Sequence, residues 1–358
     1  MDLKRALKIL KKDVWALAST MFILVICLLA IFAYHLSPDK TQFANQMHLS
    51  IHSKPPGFSC MFLIIPETNL ADKKIFFSGD INSTEEIPIK EVYWHNNGIA
   101  YKRFGNATDY FEEKDFSQFP TGTNRKEIEA NYIKEKRFLL GTDNYGRDLL
   151  SRLIVGSRIS ISIGFIAVII SLLIGVFLGS IAGFYGGWID KLIMWLINVM
   201  WSIPTLLMVI AITLALGRGF WQVFIAVGLT MWVEVARIVR GLVKSTKEEL
   251  YVKAGITLGF SKARLLINHI LPLLIPPLIV ISTANFASAI LMESGLSFLG
   301  IGAQPPIPSW GSMVKNHFRY LLLGKPYLAI IPGLAIMSLV LAFMMLGNSL
   351  RDALDVRH

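Results

Sequence analysis

The chain has 358 residues, of which 53% are hydrophobic and only 17% charged, with a formal charge of +10. Soluble domains carry roughly a quarter charged residues, so this composition excludes an ordinary soluble protein and points to an integral membrane protein. The excess of Lys and Arg would suggest nucleic acid as the partner of a soluble chain; in a membrane chain it belongs to cytoplasmic loops, and nucleic-acid binding is set aside.

The chain opens on a basic stretch, MDLKRALKILKK, followed by an apolar run over 14–36. That run exceeds the apolar core of a signal peptide and no clear small-residue cleavage site follows, so a retained signal-anchor helix is expected. Cys27 lies in this run and Cys60 in a polar region, too distant to pair. Segment 37–140 is polar and mixes both charge signs. Short β-like runs stand out in it: CMFLIIP, KKIFFSG, EVYWHN and GIAYKRF, with Asn96-Asn97-Gly98 as a turn between the last two. A small β-rich module and an irregular loop packed on the membrane core are both compatible with that pattern. Next, Asp143 is expected to cap a helix whose Leu149, Leu150, Leu153 and Ile154 share one face, lying on the outer membrane surface.

Five further apolar runs follow, at 159–184, 192–216, 220–243, 270–292 and 327–350. Each reaches the roughly 20 residues that a spanning helix needs, which makes six spans in all. Pro204, Pro276, Pro277 and Pro332 fall inside or near their starts, as neighbouring membrane helices can tolerate. Gly175, Gly179 and Gly183 recur every four residues, the spacing of close helix packing, with pore shaping as the alternative. Six spans place Lys4, Arg5, Lys8, Lys11 and Lys12, the cationic loop from Arg237 to Arg264, and Arg351 and Arg357 on one side. By the positive-inside rule that side is the cytoplasm, which leaves 37–140 outside.

Segment 251–272, YVKAGITLGFSKARLLINHILP, is half polar yet sits between two apolar runs. Val252, Ile256, Gly259, Ala263, Leu266, Ile267 and Ile270 recur at helical spacing. Gly259 can turn the chain and Pro272 marks re-entry into lipid. The pattern predicts a cytoplasmic helix–turn–helix able to dock a soluble partner, or an amphipathic loop on the headgroups.

The same stretch resembles the EAA loop of ABC-importer permeases, with Lys253-Ala254-Gly255 at E-A-A, Gly259 at the glycine, and Pro272 at the closing L-P. GTDNYGRDLLSRLIVGSRISISIG, AGFYGGWID, ESGLSFLGIGAQPPIPSWGSMV and PGLAIMSLVLAFMMLGNSLRDALD are similar, in order, to stretches of C-type permeases of dipeptide/oligopeptide importers. The resemblance covers residues 141–355 and, in kind, the N-terminal helix.

What it implies is an all-α type I importer permease of six helices, with a long extracytoplasmic insertion between helices 1 and 2. Its parts would be a tail and first helix over 1–36, the insertion over 37–140, and a permease core over 141–358 whose coupling loop is 245–272. The loop's residues would be Glu249, Val252, Lys253, Ala254, Gly255, Gly259 and Phe260. The expected partners are a homologous second permease, two ATP-binding subunits that use ATP and Mg, an extracytoplasmic peptide-binding protein, a peptide substrate and the bilayer of a bacterial inner membrane. Both termini would be cytoplasmic. The chain itself should bind no cofactor, since it has no G-x-x-x-x-G-K-[ST] loop. It is expected to be no enzyme, because no nucleophile–base pair is visible.

Several positions depart from the family pattern. Lys253 stands where the family has Glu, Gly255 for Ala, Asn348 for Asp, Val356 for Pro, and Trp195 and Asn198 where charges are common. Glu249 or Glu248 is expected to supply the missing acid. Glu293 is read as capping its span at the interface, with contact to a peptide amino terminus as the alternative. Glu234 is expected to pair with Arg237, rather than serve a proton relay, and His269 to be structural. A proton-coupled secondary transporter and a membrane-anchored adaptor are the rival readings. Nickel chelates and peptide antibiotics are alternative substrates.

Overall fold

The computed structural model describes residues 9–65, 74–75, 79–80, 85–95, 98–105, 110–116, 119, 125–217 and 219–354. Lys4, Arg5, Lys8, Asn96, Asn97, Val356 and Arg357 lie outside them.

Helix α1 spans Val14–Ile31, capped by the Asp13 carboxylate, which accepts from Trp15 N at 2.9 Å. A short α2, Ala33–Leu36, follows. The described residues of segment 37–140 then hold seven strands: β1 Phe58–Ile65, β2 Lys74–Ile75, β3 Gly79–Asp80, β4 Glu85–Trp94, β5 Gly98–Arg103, β6 Glu112–Asp115 and, after helix α3 (Arg125–Asn131), β7 Ile133–Phe138. Five of them form an antiparallel sheet in the order β6-β5-β4-β1-β7, with Met61 opposite Ile89 and Phe58 opposite Phe138. Leu63, Ile65, Ile87, Ile89, Ile99, Tyr101, Phe119 and Ile128 make its core. The all-α expectation therefore needs correction here. The β-branched and aromatic runs of 58–103 pair with one another and bury one face, as a segment rich in such residues does. Tyr101 donates to Glu112 at 3.0 Å; burial and this neighbouring carboxylate push its hydroxyl up to about 12.

Helix α4, Leu149–Tyr185, has 37 residues and runs for about 55 Å. Its cap is Asp148, which accepts from Ser151 N at 2.9 Å. The expectation for Asp143 is thus corrected: its carboxylate takes the Tyr145 and Arg147 amides and the Arg147 Nε instead. Nor do Leu149 to Ile154 form a separate surface helix. They are the first turns of α4, and Leu149 is fully buried.

The remaining helices are α5 Gly187–Trp201, α6 Thr205–Leu216, α7 Phe220–Lys247, α8 Leu250–Thr257, α9 Lys262–Arg264, α10 Leu271–Leu299, α11 Trp310–His317 and α12 Tyr327–Leu354. A π-turn, Leu265–Ile270, joins α9 to α10 into one helical run. Among the described residues five helices are long and apolar enough to cross a membrane, or up to six if the bent pair counts as one. That pair is α5 and α6, which meet at 92° and occupy the expected third span. Pro204 sits in the break with extended backbone, a conformation that a proline favours and a continuous helix forbids.

The bundle's tightest seam joins α4 to α7. A Cβ at Gly175 would lie 2.9 Å from Trp232 O, one at Gly179 would lie 2.9 Å from Val239 Cβ, and one at Gly183 would lie 2.7 Å from the Arg240 carbonyl. The four-residue glycine spacing is helix packing: with no side chain, one helix lies directly on the other's backbone.

Candidate functional site

Segment 245–272 hangs from the end of the bundle where α4 stops and α7 leaves. Glu248 ends α7, and extended backbone at Glu249 starts α8 in a new direction. Helix α8 closes on a Schellman motif: Phe260 N donates to Gly255 O and Gly259 N to Ile256 O, both at 3.0 Å, with Gly259 at φ +78°. Only glycine adopts that backbone at little cost. Ser261 then caps α9 by accepting from Arg264 N at 3.3 Å, and the chain returns as α10. The predicted helix–turn–helix is present.

Its inner face is a hydrophobic seat. Val252, Leu265 and Ile270 are buried with Val239, Val243 and Phe184 from α7 and α4, and Leu274 from α10. Gly255 sits under Leu265, where a Cβ would fall 2.8 Å from Leu265 Cδ2 and 3.3 Å from Phe260 Cδ2. The departure from Ala at this position thus has a local reason. Phe260 stacks on His269 at 5.9 Å between centroids, which gives that histidine a packing role. Two lysines straddle the end of α4. Lys247 Nζ donates to Phe184 O at 2.7 Å, and Lys262 lies over the Tyr185 ring at 5.5 Å. Both place positive charge at the negative end of that helix.

The outer face is open. Leu250, Tyr251, Ile256, Leu258 and Ile267 are large, apolar and exposed, interspersed with Glu248, Glu249, Lys253, Ala254 and Thr257. Lys253 Nζ pairs with Glu248 Oε2 at 3.0 Å, and this ammonium holds the Glu248 carboxyl below its ordinary range. Glu248 is thereby occupied. Among the described residues the Glu249 carboxylate has no ion pair or hydrogen bond, and it and Tyr251 stand at the foot of α8; burial, then Glu249, raises the Tyr251 hydroxyl. Sequence reasoning picked out Val252, Gly255 and Gly259 but missed Leu250 and Leu258. Their signal was available: both fall off the buried stripe while being apolar.

The ion-pair expectation for Glu234 and Arg237 is corrected. Arg237 lies over the Trp201 ring at 4.3 Å, while Glu234 borders a small cavity with Thr205, Thr230 and Met292. Arg240 makes the pair instead, gripping Asp190 of α5 with both Nε and Nη2. Glu293 is also corrected. It does not cap a span at the interface but is fully buried, accepting from Ser297 Oγ at 2.6 Å.

At the opposite end of the bundle a second polar site appears. The residues before α4 and the loop between α10 and α11 enclose a cleft of about 450 Å³. Arg147, Arg152 and Lys315 line it.

Two family models match the chain. One, described as a binding-protein-dependent transport system inner membrane component, covers residues 175–357; the other, the N-terminal transmembrane domain of oligopeptide transport permease C, covers 3–56. The chain is 41% identical over 215 residues to the dipeptide transport system permease protein DppC of Alkalihalophilus pseudofirmus, across 60% of this chain and 70% of that protein. It is 40% identical over 240 residues to the oligopeptide transport system permease protein OppC of Bacillus subtilis, across 67% and 78%. It is also similar to the inward-facing MetNI methionine ABC transporter at a TM-score of 0.45 and 17% identity, over 59% of this chain and 97% of that one.

Proposed function

The chain belongs to the family of binding-protein-dependent transport system inner membrane components, and from that premise we propose that it forms half the pore of an ATP-driven importer of di- and oligopeptides. It is a permease subunit of an ABC importer and a transport component rather than an enzyme. Relatives named for dipeptides and oligopeptides support peptides as its cargo; the similar protein GsiD of Pectobacterium atrosepticum is named for glutathione, itself a short peptide.

The observation that carries the mechanism is the loop over 245–272. Its apolar outer face needs a partner, and an ATP-binding subunit is the partner an importer supplies. We assign the docking surface to Glu249, Leu250, Tyr251, Lys253, Ala254, Ile256 and Leu258, with Val252, Gly255, Gly259 and Phe260 holding its shape. Because α8 is seated on α4, α7 and α10 together, a push on it moves three spanning helices at once. Packed interfaces switch between discrete arrangements rather than deform continuously, so closure of two ATPases would switch the pore's access. ATP and Mg act in those subunits. A homologous permease completes the pore, and a peptide-binding protein delivers cargo on the side of segment 37–140, outside a bacterial inner membrane with both termini cytoplasmic.

The test is reconstitution of the permease pair with its ATPases and binding protein in liposomes. ATP-dependent accumulation of a tripeptide is expected. Accumulation by this chain alone without ATP would overturn the reading.

A further inference from the structure

The GTDNYGRDLLSR motif plays no part in the loop that faces the ATPases. It lies some 50 Å away by the length of α4. With 37 residues against a hydrocarbon core of roughly 30 Å, α4 overhangs the membrane, and its first turns stand in the headgroup layer or beyond. There the motif builds one wall of the cleft of about 450 Å³. The loop between α10 and α11 and the start of α11 build the other.

The cleft is cationic. Arg147 and Arg152 are each 4% exposed, and Lys315 completes the set from α11. Among the described residues one carboxylate, Asp143, is in contact with these cations, and Asp39 acts on Arg152 at longer range. Asp143 Oδ2 bonds Arg147 Nε at 2.6 Å and lies 3.8 Å from Arg152 Nε. The next acid, Asp39, is occupied by Thr41 and by the Gln46 amide. Arg147 also reaches Asn45 Oδ1 at 2.9 Å, so its guanidinium is held in place. Arg152 is different. Its Nη1 makes long contacts of 3.4 Å to the Phe43 and Ala44 carbonyls, and its buried Nε has no hydrogen bond. Lys315 has no ion pair among the described residues, and its ammonium lies against Gly300 across the cleft. A buried guanidinium N–H without an acceptor is costly; Nε itself is sealed from the cleft, so an anion entering it meets the guanidinium at Nη2, for which no hydrogen bond is found among the described residues.

Resting on the peptide reading above, we propose that this cleft is a subsite that receives the C-terminal carboxylate of the incoming peptide. Arg152 and Lys315 bind the carboxylate from two sides while Asp143 and Asn45 hold Arg147 and the wall in register. Planar guanidinium donors suit a carboxylate. The volume admits the end of a peptide of any side chain, as a carrier of many sequences requires, because the recognised group is common to all of them.

The test uses the assembled permease–ATPase complex in nanodiscs, free of binding protein, with trialanine and trialanine amide as probes. Wild type should bind the free acid about tenfold more tightly than the amide, one charge-assisted hydrogen-bond pair being worth about that ratio. Arg152→Gln and Lys315→Gln should each bring the ratio close to one. Lys315 is only half-buried and lacks an ion pair, so its variant tests the cleft even if Arg152→Gln fails to fold. Equal binding of acid and amide by wild type overturns the proposal, and so does a Lys315→Gln complex that keeps the tenfold ratio. If Lys315→Gln instead weakens capture of the binding protein with the ratio unchanged, the cleft accepts an acidic side chain of that protein and the proposal fails. Uptake of trialanine by cells carrying the whole importer separates the two readings. Uptake with a flat ratio sinks the cleft alone, whereas no uptake of either form sinks the peptide reading and the cleft with it.

Discussion

Val252 is the residue on which the seat of the loop over 245–272 turns. It is fully buried between α7 and the π-turn, although its neighbours Tyr251 and Lys253 are exposed. Val252→Ala removes two methyl groups. At roughly 0.8 kcal/mol per buried carbon the transfer loss is about 1.6 kcal/mol. A residual cavity of roughly 40 Å³ at about 24 cal/mol per Å³ adds about 1 kcal/mol. A cost of about 2–3 kcal/mol raises the fraction of loops detached from the bundle roughly 30- to 150-fold. Detached from its seat, an eight-residue helix is marginal in water, so its amides open with the loop. Hydrogen exchange of the amides of 254–260, measured in the assembled importer, should accelerate by that factor, and peptide moved per ATP hydrolysed should fall. Lys253→Ala is the control. Its pair with Glu248 is more than half exposed on both sides, so solvent screens it and it contributes little. Unchanged exchange in Val252→Ala, or equal acceleration in Lys253→Ala, would refute the seat.

Further outcomes follow from the same geometry. Glu249→Lys should weaken co-purification of the ATPases or uncouple their hydrolysis from transport; unchanged transport would remove Glu249 from docking. Gly179→Ala forces a Cβ to 2.9 Å from Val239 Cβ and 3.0 Å from Ala236 Cα, an overpacking cost of about 1–3 kcal/mol. Gly241→Ala meets nothing within 4 Å, so thermal unfolding in detergent should drop for the first variant only. In segment 37–140, burial pushes the Glu86 carboxyl up, but His48 and Lys136 outweigh it and hold it below its ordinary 4.5. A lowered folded value means stabilisation that is present above 4.5 and lost as pH falls through that lower value. Protection factors of the β1 and β4 amides, corrected for the intrinsic exchange rate at each pH, should therefore fall on acidification below 4.5, and Glu86→Gln should be less sensitive in that window.

The positions where sequence and structure part share one cause. Apolar length and periodicity are local signals, and they located the five long apolar helices, the bent pair at 187–216, the helix–turn–helix and the strands at 58–65 and 98–103. Glycines 175, 179 and 183 were legible for the same reason, since close approach of two helices leaves its mark on one of them. Polar partners are chosen in three dimensions instead. Three-residue spacing suggested Glu234 with Arg237, yet Arg237 finds the Trp201 ring, and Arg240 finds Asp190 fifty residues earlier because the α4–α7 seam brings α5 alongside. Asp143 looked like a helix cap because it precedes an apolar face, but a second aspartate five residues on was closer to the first turn, which left Asp143 for the arginines. Lys253 was unexpected where an acid is the rule, and its partner is Glu248, five residues back on its own chain. The internal pair neutralises both groups and leaves Glu249 as the uncompensated acid of the outer face. If this face docks an ATPase as proposed, the complement it requires is a cation near the start of α8 rather than over its second turn.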